Sequence, residues 1–153
     1  MSRTFYLFKS DRGDKKYVMV MPEFKHKHFF GATGFRDFTL MNDKNSKFYE
    51  ESKEERNKVK DRYLKRHAKD PKGIHSPSTL SDMILWNKPT IKESIKDYEN
   101  KYNVKVIFKN RKLNKEDIKK LLGKWNIKSI FIHVSFFINR FYFIHQNHIL
   151  IFN

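Results

Sequence analysis

The chain has 153 residues, no cysteine, and 33 Lys and Arg against 17 Asp and Glu, a formal net charge of +16. This length fits one domain, with or without an appendage, and excludes two large ones. The missing cysteines exclude disulfides, thiolate zinc sites and thiol nucleophiles, and the charge points to a phosphate polyanion or an anionic membrane surface as partner. Residues 1–107 carry 24 basic and 15 acidic side chains and residues 108–153 carry nine and two, so the excess is spread along the chain and is not confined to a tail. An aromatic content of 16%, including 15 Phe, argues against disorder.

In chain order, Thr4 to Ser10 reads as a strand, Asp11-Arg12-Gly13-Asp14 as a turn and Lys15 to Met21 as a second strand, together a hairpin. After Pro22, the run from Phe24 to Phe30 continues in period two. Phe24, His26, His28 and Phe30 then share one face of a third strand, with Lys25, Lys27 and Phe29 on the other. Gly31-Ala32-Thr33-Gly34 is expected to end that strand in a turn, followed by a loop through Phe35, Asp37, Phe38 and Thr39.

From Ser46 to Ala68 the chain is polar and free of Gly and Pro. Glu51, Glu54 and Glu55 come early and Lys58 to His67 late, the order that complements a helix macrodipole, which predicts a helix around residues 53–67. Pro71-Lys72-Gly73 closes it. A short apolar helix is expected over Thr79 to Trp86, opened by a capping box of Thr79 and Asp82. Asn87-Lys88-Pro89 breaks it, and Thr90 with Glu93 opens a helix over Ile91 to Tyr102 that should bury Ile91, Ile95, Tyr98 and Tyr102. Val104 to Phe108 reads as a strand, and Asn114 with Asp117 caps a short basic helix whose apolar positions are Ile118, Leu121 and Leu122. Beyond Trp125 the chain is rich in Ile, Phe, Val and Leu but too interrupted for a membrane helix, which needs about 20 apolar residues. Its β-branched and aromatic content favours buried strands or an aggregation-prone extension.

The expected fold is α+β: a small antiparallel sheet, built from the N-terminal strands and Val104 to Phe108, packed by three to four helices. Residues 1–108 form this basic domain, and residues 109–153 a short basic helix and an aromatic, strand-prone extension.

Three separated stretches, FGATGFRDFT, DRYLKRH and LSDMILWNKPTIKESIKDY, carry a resemblance. They resemble a family of small basic proteins of unknown function encoded by large double-stranded DNA viruses. In that family an FGA-x-G-x-x-D-(Y/F)-T turn, a Y-x-x-RH helix and an LW-x-K-P-(S/T) segment leading to S-I-x-D occur in this order. The matching positions are Phe30, Gly31, Ala32, Gly34, Asp37, Phe38 and Thr39, then Tyr63, Arg66 and His67, then Leu85, Trp86, Lys88, Pro89, Thr90, Ser94, Ile95 and Asp97. The resemblance covers residues 15–107. It departs from the family in a longer segment over Leu40 to Lys53 and in the tail after Phe108. It implies a viral origin and one small α+β domain, and no established activity.

Candidate binding residues follow from charge. Arg62 and Arg66 lie four apart with Lys58 and Lys65 within a turn, so on a helix they line one side and can grip phosphates. Arg62, Lys65, Arg66 and His67, assisted by Lys25, Lys27 and Arg36, are the expected contacts. The plainer alternative is a solvated helix face partly neutralised by Glu51, Glu54, Glu55 and Asp61. His26 and His28 have metal-like spacing without further ligands at a recognisable interval. Asp37, His67 and Ser76 could be assembled into a catalytic trio, but no nucleophile-elbow sequence supports it. The glycines of Gly31 to Gly34 lack the Lys-Ser/Thr ending of a phosphate loop, so a structural turn is expected, with Asp37 bonding loop backbone or pairing with Arg66. Tyr63, Trp86, Phe35 and Phe38 could stack on unpaired bases, although the apolar neighbours of Trp86 favour the core.

The expected function is therefore non-catalytic, mainly electrostatic binding of DNA or RNA without sequence specificity, in a viral protein packaged in the virion. The alternatives are a capsid-associated protein contacting an acidic protein, or a membrane through the C-terminal extension, and a metal-dependent nuclease using Asp37 and His67. No cofactor or metal is expected. The N-terminal residues lack the pattern of a secretory signal, so a host-cell cytoplasmic or nuclear location is expected rather than secretion.

Overall fold

The computed structural model describes residues 3–123, and the apolar run after Trp125 lies outside them. The fold is α+β, with a four-stranded sheet of order β3-β2-β1-β4. Strands β1 (Arg3–Lys9) and β2 (Lys15–Met21) form the expected hairpin, with Tyr6 opposite Val20. Strand β3 (His26–Ala32) runs antiparallel to β2. It starts two residues later than the period-two pattern suggests, because Pro22–Phe24 forms a 3-10 turn ended by Lys25 at φ 51°. Gly31 and Ala32 belong to the strand, with Lys15 opposite Ala32.

Strand β4 (Val104–Lys112) lies beside β1 and runs parallel to it, so the sheet is mixed and not antiparallel. A parallel neighbour needs a crossover of a dozen residues or more, and the helical segment between β3 and β4 supplies one. That segment holds α1 (Phe38–Asn42), α2 (Lys53–Arg66), α3 (Pro77–Leu80) and α4 (Ile91–Tyr102). Helix α5 (Lys115–Leu122) follows β4 and makes five α-helices among the described residues.

Alternation along the strands sends side chains to two cores. Phe5, Leu7, Met19, Met21, Phe30, Val104 and Val106 face the layer of Leu80, Ile84, Leu85, Ile95 and Tyr98. Phe8, Val18, Val20 and Leu113 face the other way, where Ile118, Leu121 and Leu122 of α5 cover them. Each such side chain is worth about 1.5–3 kcal/mol when buried, against about 5–15 kcal/mol of net stability for a whole domain. Helix α5 is therefore part of the domain. The unit runs to Leu122, and the expected boundary at residue 108 would cut β4 in half.

Local chemistry sets the helix ends. Ser52 caps α2 by accepting from the Glu55 amide, with Glu54 and Glu55 in the first turn and Lys65 and Arg66 in the last. Thr90 caps α4 by accepting from the Glu93 amide, and its hydroxyl donates to the Glu93 carboxylate at 2.7 Å. Asn114 and Asp117 cap α5 reciprocally: Asp117 N donates to Asn114 Oδ1 at 2.8 Å and Asn114 N to Asp117 Oδ2 at 3.2 Å. Helix α3 begins earlier than expected, since Ser76 and not Thr79 is the cap. Its end widens into a π-helical turn over Ser81–Leu85, with the Trp86 amide donating to the Ser81 carbonyl at 3.2 Å. This wider turn ends in Ile84, Leu85 and Trp86, three consecutive buried residues.

Candidate nucleic-acid interface

The three stretches that carry the resemblance are far apart in sequence and meet around one open groove of about 670 Å³. Its walls are the end of β3 with the Phe35–Asp37 loop, the α2 face bearing Arg62, Tyr63 and Arg66, and the π-helical turn with Leu85 and Trp86. Gly31 makes the meeting possible. Its φ is +70°, and a Cβ built on it would stand 2.5 Å from Leu85 Cδ1, so both backbone and space require glycine. Gly34, at φ +84°, turns the chain into the loop with nothing crowding it.

The loop is pinned from below. Lys16 Nζ donates to Asp37 Oδ2 at 2.7 Å and to the Phe35 carbonyl at 2.5 Å. Asp37 is 2% exposed, and its other oxygen accepts from Thr39 Oγ1 at 2.7 Å and from the Leu40 amide at 3.0 Å, which caps α1. Asp37 therefore pairs with Lys16 and not with Arg66, and both its oxygens serve the loop. Nearby, burial, helped by the charge of Asp37, pushes the Tyr17 hydroxyl up to about 12.

Five cationic side chains, Lys15, Lys16, Arg36, Arg62 and Arg66, line the groove against the two carboxylates of Asp37 and Asp70. Asp37 is taken by Lys16. Asp70 Oδ2 lies 2.7 Å from His67 Nδ1, at the cap of α2. Lys15, Arg36, Arg62 and Arg66 have no ion-pair partner among the described residues. Arg66 lies 5.8 Å above the ring of Tyr63, whose own ring stacks on Trp86 at 4.0 Å and 8°. Burial, reinforced by Asp82, pushes the Tyr63 hydroxyl up to about 12, so it stays a neutral donor at physiological pH.

Of the seven residues expected to contact phosphate, four meet in the groove: Arg36, Arg62, Arg66 and His67. Lys65 is exposed on α2 without lining it. Lys25 sits at the end of the 3-10 turn, and Lys27 packs over Phe29, 5.5 Å from its ring. Neither Lys25 nor Lys27 lines the groove. Lys60, inside the basic stretch, is structural: it donates to the Asn87 carbonyl and lies 4.6 Å from the Phe38 ring, and burial lowers its pKa. Lys15 and Asp70 were not singled out by the sequence. Lys15 reads as one more strand lysine, and Asp70 gains its role only because α2 ends at Arg66 and turns it back to His67.

The rest of the third motif holds the wall in place. Asp97 accepts from Asn87 Nδ2 at 2.9 Å and lies 3.2 Å from Lys88 Nζ, and buried Ser94 accepts from the Lys88 amide at 3.1 Å. Elsewhere His75 joins His26 and His28 in a row of rings, with centroids 5.5 and 5.7 Å apart. No group of three His, Asp or Glu among the described residues is arranged to hold a metal ion, and no helix among them is long and apolar enough to cross a membrane. Compared with family models, curated proteins and solved structures, the chain finds no match.

Proposed function

We propose that the protein binds nucleic acid through this groove, mainly by charge and without sequence specificity. The observation that carries the reading is that Arg36, Arg62 and Arg66 converge on the groove with no carboxylate partner among the described residues. A folded domain spends most of its guanidinium groups on ion pairs or on covering apolar surface. Three that converge without a carboxylate partner, even with Arg66 laid over Tyr63, suit phosphate oxygens, which Arg grips in a bidentate manner. The net charge of +16 adds long-range attraction for the same ligand. The resemblance to small basic viral proteins supports a role beside a viral genome, within the virion.

Salt titration of binding to labelled DNA and RNA tests this. The affinity of the full chain should fall steeply with salt. Replacing Arg62 and Arg66 by Ala should make the slope of log K against log salt shallower by about 0.7–0.9 per contact, because counterion release follows the phosphates neutralised. Binding that ignores these two residues overturns the proposal. Adding magnesium or manganese tests the nuclease alternative. Cleavage lost in His67→Ala at unchanged binding would give the groove a chemical role in place of a purely electrostatic one.

A further inference from the structure

We infer that the groove takes a single strand and that Phe35 is its base-stacking platform. This rests on the nucleic-acid reading above and deepens it. Of the four aromatics that the sequence offers for stacking, three are engaged by the protein. Trp86 and Phe38 are buried, and Tyr63 lies flat on Trp86. Phe35 is the exception, a large apolar side chain 69% exposed at the rim of the groove.

Its setting is ordered. The residue before it, Gly34, has a positive φ, its own carbonyl is held by Lys16, and Thr33 N donates to the Asp14 carbonyl at 3.1 Å. The ring is thus presented on a loop tied to the β1–β2 turn and to β2, so little conformational freedom is lost on binding. Arg36 follows it directly, and Arg62 and Arg66 stand in the same groove.

An apolar ring among unpaired cations fits one ligand chemistry well: a flat base whose backbone carries phosphates. A duplex hides the faces of its bases inside the stack, so only an unpaired base can lie on the ring. The volume agrees, since about 670 Å³ falls within the range of roughly 300–1,000 Å³ typical of small-ligand sites, room for a nucleotide segment. Stacking is tolerant of base identity, as expected for binding without sequence specificity.

The test measures fluorescence anisotropy of labelled single-stranded DNA, single-stranded RNA and a duplex of the same sequence, for the full chain across a salt series. Wild type should prefer the single strands. Phe35→Ala should weaken single-strand binding about ten- to hundredfold, the loss of one stacked base, and leave both the salt slope and duplex binding unchanged. Phe35→Trp should restore it. The Arg62→Ala, Arg66→Ala pair should instead flatten the salt slope for every ligand. Salt- and Arg-dependent binding that is indifferent to Phe35, or equally tight for the duplex, overturns the stacking platform and leaves the nucleic-acid reading standing. Binding to no nucleic acid overturns both.

Discussion

Asp37 is the sharpest test of how the groove is built, because one buried carboxylate does three jobs. Replacing it by Ala removes the cap of α1, worth about 1 kcal/mol, and the bond from Thr39, worth about 1 kcal/mol more. It also strands the Lys16 ammonium. Exposed ion pairs contribute about 0–1 kcal/mol, and breaking a fully buried one costs about 3–5 kcal/mol. The pair here is shielded at both ends, with side chains 14% and 2% exposed, but Lys16 keeps the Phe35 carbonyl, so a value near 2 kcal/mol is appropriate. Since neighbouring effects do not add fully, Asp37→Ala should cost about 3–4 kcal/mol. Asp37→Asn keeps a good capping oxygen and should cost about half of that. Urea unfolding measures both as a fall in midpoint at unchanged slope. A loss below about 1 kcal/mol for Asp37→Ala, or equal losses for Ala and Asn, would refute the assignment of cap and ion pair to this residue.

The two positive-φ glycines of the groove should respond differently. Gly34→Ala meets only backbone strain, about 1–2 kcal/mol, whereas Gly31→Ala adds a clash with buried Leu85 and should cost clearly more, as compared by thermal unfolding. Burial, with His26 and His75 alongside, depresses the His28 pKa, and its Nε2 is buried without a partner. A depressed imidazole favours the fold fully above its unfolded-state value, about 6.5, and that stability is lost as pH falls through 6.5 toward the lower folded value. Stability measured from pH 8 to pH 5 should therefore drop in wild type and drop less in His28→Leu; parallel curves would show that His28 is not the titrating group.

What the sequence reveals about this fold depends on the range of the interaction that decides each feature. Helix α4 and its Thr90–Glu93 cap, the acid-to-base order of α2 and the β1–β2 hairpin are set by neighbours within a few residues, and they are as expected. The parallel register of β4 on β1 is decided by a partner about 100 residues away, and nothing in Val104 to Phe108 reports it. The limit of the domain is hidden for a similar reason: α5 looks like an appendage until Phe8, Val18 and Val20 are seen to need a cover. At the site, Arg62 and Arg66 are legible as one helix face. Their convergence with Arg36, and the capture of Asp37 by Lys16, depend on Gly31 letting β3 approach Leu85.

The residues of the three motif stretches divide into two groups by what the fold does with them. Gly31, Asp37, Trp86, Ser94 and Asp97 are consumed in building: a close approach, a cap with an ion pair, a stacked core ring, and two anchors for the Asn87–Lys88 segment. Their presence requires no ligand. Arg66, Arg62 and Arg36 are different, since they line the groove and form no ion pair with a carboxylate among the described residues. A chain that carries 33 basic side chains gains nothing in solubility by converging three of them on one concave surface. Like charges gathered on one concave surface raise the local attraction for an anion, and this is the physical support for the phosphate ligand proposed above.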